Sequence, residues 1–202
     1  MTKKESSLLQ LILSLTIISA IAGLTLAAVF SKTQEPIEAA RIRKKQEAIM
    51  KVLPGFDISK GRIERTCLSE NNKDSVCVHL AYLNEQLFGA AVETYTNKAF
   101  NGTFTLMVGF DNEGIILQTE VLHTNETPGL GDKIDVKKSN FALQFIGKSP
   151  ENFKMELVNN GGDVVAITAA TITSIAFCDA VERAHRAFIT AKKQKEESND
   201  KK

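Results

Sequence analysis

Four hydroxyl side chains, Thr168, Thr171, Thr173 and Ser174, lie in the stretch "GGDVVAITAATITSIAFCDAV", residues 161 to 181, among small and apolar residues and just ahead of a helical pattern. Hydroxyls at a helix start have two uses. They cap free backbone N–H groups, or they hold, and can be esterified to, a phosphate, because those N–H groups and the positive end of the helix dipole favour an anion. Ala169 and Ala170 leave room beside Thr171 for a bulky group. The segment alone leaves both readings open.

A second constellation is "HTNETPGLGDKI", residues 123 to 134, in which Pro128, Gly129 and Gly131 form a tight loop directly after a strand. Glycines let a backbone approach a ligand closely, although a Pro-Gly turn by itself is unspecific. Cys67 and Cys77 lie symmetrically about the centre of a turn-rich segment, so a hairpin there sets them opposite one another, either bridged or as two unpaired thiols. With no second pair, their spacing argues against a zinc site. His79, His123 and His185 are scattered over different elements and form no ligand pair, so they read as structural or surface residues. Nucleophile elbow, phosphate-binding loop and dinucleotide fingerprint are all missing, which removes the ordinary hydrolase and kinase readings.

The elements that must position these residues follow from periodicity. Residues 8 to 30, "LLQLILSLTIISAIAGLTLAAVF", carry no charge and as a helix measure about 34 Å, enough to cross a bilayer core. The run is longer than a signal-peptide core and no clear cleavage site follows it, so we read an uncleaved transmembrane helix. Lys3 and Lys4 precede it, whereas Lys32, Arg41, Arg43, Lys44, Lys45 and Lys51 follow, a count that by itself keeps the downstream domain in the cytoplasm. A separate surface helix is expected over residues 33 to 53, with Pro36 in its first turn and its basic cluster as a solvated face or a contact with lipid head groups.

Successive antiparallel hairpins come next, built from "GRIERTCL", "VCVHLAYL", "LFGAAVETYT", "GTFTLMVGF" and "GIILQTEVLHT". Two further strands, "FKMELV" and "VVAIT", are expected on either side of "NNGGD". Phe177, Ala180, Val181, Ala184 and Phe188 share one face of a helix from about Thr173 to Ile189. The fold class is α+β, with an antiparallel sheet and packed helices. The last residues, "KKQKEESNDKK", hold no apolar side chain and read as a disordered tail. Twenty-five Lys and Arg balance 24 Asp and Glu, which offers no hint of nucleic-acid binding.

In this order the features resemble the FMN-binding G subunit of the Rnf-type ion-translocating electron transport complex, a relative of the C subunit of the sodium-pumping NADH:quinone oxidoreductase. The likeness runs from the N-terminal anchor through "TQEPI", "VLPG", "ETPGLGDKI" and "FIGK" to "ITAATITS", and the pairing of ETPGLG with an S/T-G-A-T element about 40 residues later is specific. It implies an FMN joined through its phosphate to Thr171, attached by a separate flavin transferase, with Thr168 at the first hydroxyl position of the element and Ala170 beside it. Glu126, Thr127, Gly129, Leu130 and Gly131 match the loop that lies beside the flavin.

The resemblance also implies an electron-transfer subunit, without turnover alone, in a complex linking NADH and ferredoxin pools to ion movement. No metal is implied. The flavin domain would lie outside the inner membrane, against the charge count and in keeping with a Cys67–Cys77 bridge. The implied organisation is an N-terminal tail over 1–7, the transmembrane helix over 8–30, a linker helix over 31–55, the FMN-binding domain over 56–190 and the tail over 191–202.

Two positions depart from the family pattern. Val165 replaces an Asp, and Ala169 replaces a Gly, a change that matters where the backbone needs a positive φ. Two other readings stand beside the first. One is a stand-alone anchored flavin domain serving another extracytoplasmic reductase; the other is a scaffold whose flavin site has decayed.

Overall fold

The computed structural model describes residues 8–71 and 74–199. The elements are α1 (Leu8–Val52), β1 (Gly61–Asn71), β2 (Asp74–Leu83), β3 (Gln86–Ala99), β4 (Gly102–Asp111), β5 (Ile116–His123) and α2 (Thr171–Asn199), with three short 3-10 turns between β5 and α2. The chain divides into two compact units, one up to Lys44 and one from Lys45.

The first unit is helical throughout its described length. The expected break between an anchor helix and a surface helix does not occur, because α1 runs on through Pro36. A proline inside a helix removes one N–H donor and crowds the preceding turn, yet here it does not end the element. The apolar portion is long enough to cross a membrane and none of its residues is buried within the protein. Within it the Ser14, Thr16 and Thr25 hydroxyls donate to the carbonyls of Leu11, Ile12 and Ile21 at 2.8 to 2.9 Å, so these polar groups need no water.

In the second unit the five strands form one antiparallel meander in sequence order. Tight turns fix the register. Asn84 and Glu85, both at positive φ, make the two-residue connection between β2 and β3, with Leu83 opposite Gln86. Phe100 and Asn101 make the connection between β3 and β4, with Ala99 opposite Gly102. Cys67 and Cys77 are cross-strand partners and their sulfurs are bonded, which ties edge strand β1 to β2.

The strands alternate between two buried faces, as a period of two requires. Val78, Leu80, Val92, Leu106, Val108 and Phe110 face the main core, which α2 covers with Phe177, Val181 and Phe188. Ala81, Ala91, Met107 and Leu122 face the other way and pack against Ala48, Ile49, Val52 and Leu53 at the end of α1. Gly109 makes this second contact possible, since a Cβ there would lie 1.8 Å from the Val52 carbonyl oxygen.

Polar anchors surround the second contact. Glu120 accepts from Lys51 Nζ at 2.8 Å and from Lys137 Nζ at 3.0 Å, and its side chain is only 7% exposed. Burial acts to raise the Glu120 carboxyl, and the two ammonium partners more than offset it, leaving its pKa below the ordinary 4.5. A depressed carboxyl stabilises the fold above its unfolded pKa, and that stabilisation is lost as pH falls from about 4.5 down through the folded value. Melting temperatures of Glu120→Gln should accordingly fall less steeply than the parent's below pH 4.5, and parallel acid limbs would exclude this assignment.

Two sequence expectations change between β5 and the C-terminus. "FKMELV" and "VVAIT" form no hairpin; Leu157 and Val164 share one isolated parallel bridge, and the chain between them turns through a 3-10 segment, Val158–Asn160, and Gly161 at φ 81°. Their apolar residues fill the core from a loop, with Met155, Leu157, Val164 and Ile167 buried. At the other end α2 continues to Asn199, past the expected stop near Ile189 and through most of the expected disordered tail. Lys195 pairs with Glu64 at 2.6 Å and Lys192 donates to the Asn112 carbonyl, so polar side chains extend the helix where apolar ones are lacking. Residues 200–202 lie outside the described residues.

Candidate functional site

Two connections that follow strands and the start of α2 meet in a cleft of about 340 Å³. The β3–β4 turn supplies Phe100, the loop after β5 supplies Glu126, Thr127, Leu130 and Gly131, and the chain entering α2 supplies Ala169 through Thr173. Of the residues singled out in the sequence, Glu126, Thr127, Leu130, Gly131, Ala170 and Thr171 line this cleft. Thr168 lines an adjoining cleft, also about 340 Å³, which shares Ala169 and Thr171 with the first. Gly129 lines neither; its φ of 78° turns the loop.

The four hydroxyls divide into two pairs. Ser174 Oγ accepts the Ile167 N–H at 2.9 Å and donates to the Ala170 carbonyl at 3.0 Å, fastening the turn to the helix. Thr173, also buried, donates to Glu126 Oε2 at 2.7 Å. Thr168 and Thr171 are exposed, and their hydroxyls bond to no other described residue. Thr171 is the first residue of α2. The Ala170 carbonyl takes the Ser174 N–H, leaving the N–H groups of Thr171, Ile172 and Thr173 as the free donors of the helix start. Thr171 thus combines an uncommitted hydroxyl with the electropositive end of a 29-residue helix.

Glu126 joins the three walls. Its Oε1 accepts the Asn101 N–H at 2.9 Å and its Oε2 the Thr173 hydroxyl. Asn101 Nδ2 adds a bond to Thr127 Oγ1 at 3.2 Å. Gly131 packs so closely that a Cβ there would stand 2.2 Å from Glu126 Oε2, so glycine here is a matter of space. In the main core Phe145 and Phe177 pack 5.0 Å apart, with Phe141 edge-on to both.

The two departures noted in the sequence differ in consequence. Val165 is 67% exposed; Gln144 holds its backbone, accepting the Val165 N–H at 2.9 Å and donating to its carbonyl at 3.1 Å, while the side chain faces outward. Asp163, two residues away, does not replace the missing carboxylate, because it accepts the Lys154 N–H at 2.8 Å. Ala169 has φ 63°, the left-handed conformation that favours glycine. Its methyl costs about 1–2 kcal/mol there and glycine's extra chain entropy takes back about 0.5–1 kcal/mol, so Ala169→Gly should stabilise the protein by about 0.5–1 kcal/mol in chemical denaturation. An unchanged or lower midpoint would show that the strain is absorbed elsewhere.

Phe100, Asn101, Ile172 and Gln144 are the residues that sequence reasoning missed. Phe100 and Asn101 had a readable signal, since two residues between strands in this register must form the tip of a hairpin. Nothing in the sequence marks Gln144. His185 is buried, edge-on to Phe110 at 5.7 Å, and desolvation lowers its pKa. Cys178 is a buried free thiol, pushed up to about 12 first by burial. Both lie on the core side of α2.

The fold and this cleft define an FMN-binding domain, and residues 99–186 match the family of that description. The chain is 32% identical over 192 residues to the G subunit of the ion-translocating oxidoreductase complex of Aliivibrio fischeri, covering 91% of this chain and 89% of that protein. The corresponding G subunit of Shewanella oneidensis is 30% identical over 162 residues, 75% and 76% of the two chains, and that of Shewanella baltica is 41% identical over 97 residues, 46% of each. This chain belongs to the family of G subunits of the ion-translocating oxidoreductase complex.

The residues present fit an FMN. The cleft lies within the size range of small-ligand sites. Its lining of Phe100, Leu130 and Ile172 suits a planar aromatic group, while the free N–H donors and the Thr171 hydroxyl suit a phosphate.

Proposed function

We propose that the chain is the flavin-carrying electron-transfer subunit of a membrane complex that couples electron transfer between NADH and ferredoxin pools to ion translocation, with FMN esterified through its phosphate to Thr171. The uncommitted Thr171 hydroxyl at the mouth of the cleft carries this reading. The other hydroxyls of the element either have structural partners or, as with Thr168, stand outside this cleft.

When bound, the flavin supplies the redox chemistry, and the protein supplies position and electrostatics. Thr171 fixes the phosphate end, and the N–H groups of the first turn of α2 stabilise its charge. Phe100 and Leu130, which line the cleft, would shield the ring from water, and Ala169 and Ala170 leave the approach to Thr171 open. A separate flavin transferase makes the ester, and it meets an exposed segment, since Val165, Thr168, Ala169 and Thr171 all face solvent.

We place the flavin domain on the periplasmic side of the inner membrane, anchored by the apolar part of α1. The Cys67–Cys77 bridge supports this, because structural disulfides persist in oxidising compartments. The positive-inside count favours the opposite side, but long domains translocate largely regardless of such charges. The other subunits of the complex are its partners, as the names of the relatives suggest.

Intact-mass measurement of the full chain, purified from membranes of a host that contains the flavin transferase, tests the attachment. The expected result is one added FMN, localised by peptide fragmentation to Thr171. A protein of unmodified mass, or an adduct on Thr168, overturns it. Protease accessibility on intact spheroplasts tests the sidedness, and a protected domain would contradict it.

A further inference from the structure

Among the described residues, Glu126 is the one carboxylate that lines the cleft, and it is only 7% exposed. Both of its oxygens act as acceptors, one from a backbone N–H and one from a hydroxyl, the role of an ionised carboxylate. Its donors are neutral. Among the described residues no Lys, Arg or His pairs with it, and none lines the cleft.

The other carboxylates with little exposure contrast with it. Glu120 holds two lysines, Asp132 holds Lys138, and Asp179 holds Lys98 and Arg183. A buried charge without a cationic partner acts on its neighbours more strongly than a paired or solvated one.

We infer that Glu126 places an uncompensated negative charge beside the flavin and thereby holds the reduction potential of this site low. The inference rests on the cleft being the flavin site, not on the ester to Thr171. Reduction adds electrons to the bound group, and a fixed negative charge nearby disfavours the added charge relative to the oxidised form. The free N–H groups at the start of α2 act in the opposite sense from the phosphate end. Glu126 is therefore more than a strut between Asn101 and Thr173.

Glu126→Gln separates charge from shape. The amide oxygen can still accept the Asn101 N–H, and the amide N–H can donate to the Thr173 hydroxyl, whose rotor can turn. Asn101→Lys adds a cation from the opposite direction. Residue 101 is exposed, and its backbone N–H, which holds Glu126, is untouched.

Full-length parent and both variants are purified in detergent from a flavinylating host. Each is checked for bound flavin by mass and absorbance, then titrated with dithionite against a reference dye. Both variants should be easier to reduce. In Glu126→Gln the reduced-to-oxidised ratio at a fixed poise should rise about tenfold or more, corresponding to about 30 mV for a two-electron couple; Asn101→Lys should move it in the same direction by less.

Flavin-loaded variants that titrate with the parent, or shift the other way, overturn the inference and leave the attachment reading intact. If Glu126→Gln fails to fold or to load, Asn101→Lys decides. A parent that binds FMN without an ester refutes the attachment to Thr171 while the titration still judges Glu126. A parent that holds no flavin in any form refutes both.

Discussion

Replacing Thr171 by alanine yields a protein that carries no flavin and that folds and melts like the flavin-free parent. The stability half follows from the local structure. Thr171 is exposed, its hydroxyl bonds to no other described residue, and Ser174 and Ala170 tie down the helix start without it. Surface substitutions away from such ties usually change stability by less than about 0.5 kcal/mol.

The loss of flavin is expected to be complete, because an ester needs the hydroxyl oxygen that alanine lacks. Thr171→Ser keeps that oxygen and should retain at least part of the modification. Thermal melts together with intact masses decide the matter. An adduct that survives in Thr171→Ala would refute the attachment, and a melting temperature well below that of the parent purified from a host without the flavin transferase would show that Thr171 has a structural task not visible in its contacts.

Gly109→Ala has the largest expected effect on stability. The added Cβ would lie 1.8 Å from the Val52 carbonyl oxygen and 2.6 Å from its carbon, so it meets backbone and cannot be relieved by a rotamer change. Either the end of α1 lifts from the sheet or β4 moves, and β4 is held on both sides, by Ala91 of β3 and Gln118 of β5. Overpacking of this kind costs about 3 kcal/mol, roughly 6–12 °C of melting temperature for a domain of this size.

Separation at the α1 end would uncover Val52, Leu53, Met107 and Leu122, so limited proteolysis near Pro54 should accelerate. Flavin loading should be preserved in whatever fraction remains folded, because the cleft is built from the opposite face of the sheet and the ends of its strands. A melt within about 2 °C of the parent, well inside that expected range, would show that the helix end is free to shift.

Much of the architecture is legible in local patterns. The charge-free run over 8–30 needs only counting, the five strands alternate with a period of two, and Phe177 to Phe188 repeat at helical spacing. The legible part fails where a local signal competes with a distant one. Pro36 suggests a helix start, but the residues on both sides of it are good helix formers and α1 continues through it. "FKMELV" and "VVAIT" have strand composition, yet no strand in this sheet pairs with them, so their side chains reach the core from a loop. The charged end of α2 has no apolar stripe, and its helix is extended by contacts such as Lys195 with Glu64, which lie far apart in the chain.

For the site, the local residues offered only candidates, a hydroxyl run before a helix and a Pro-Gly turn after a strand, and it was the resemblance carried by ETPGLG and the later TAAT element that pointed to Thr171 and the loop from Glu126 to Gly131. Which hydroxyl is left uncommitted is not local. Thr173 is occupied by Glu126, 47 residues earlier, and Ser174 by the turn it closes. Only the folded chain brings Phe100 and Leu130 into the lining of one cleft, places Gly131 where a side chain would collide with Glu126, and gives Ala169 a positive φ. A sequence specifies which groups are available and how far apart they stand along the backbone. Hydrogen-bond satisfaction, close approach and backbone strain depend on distances through space, and those are set when the sheet and α2 close on each other.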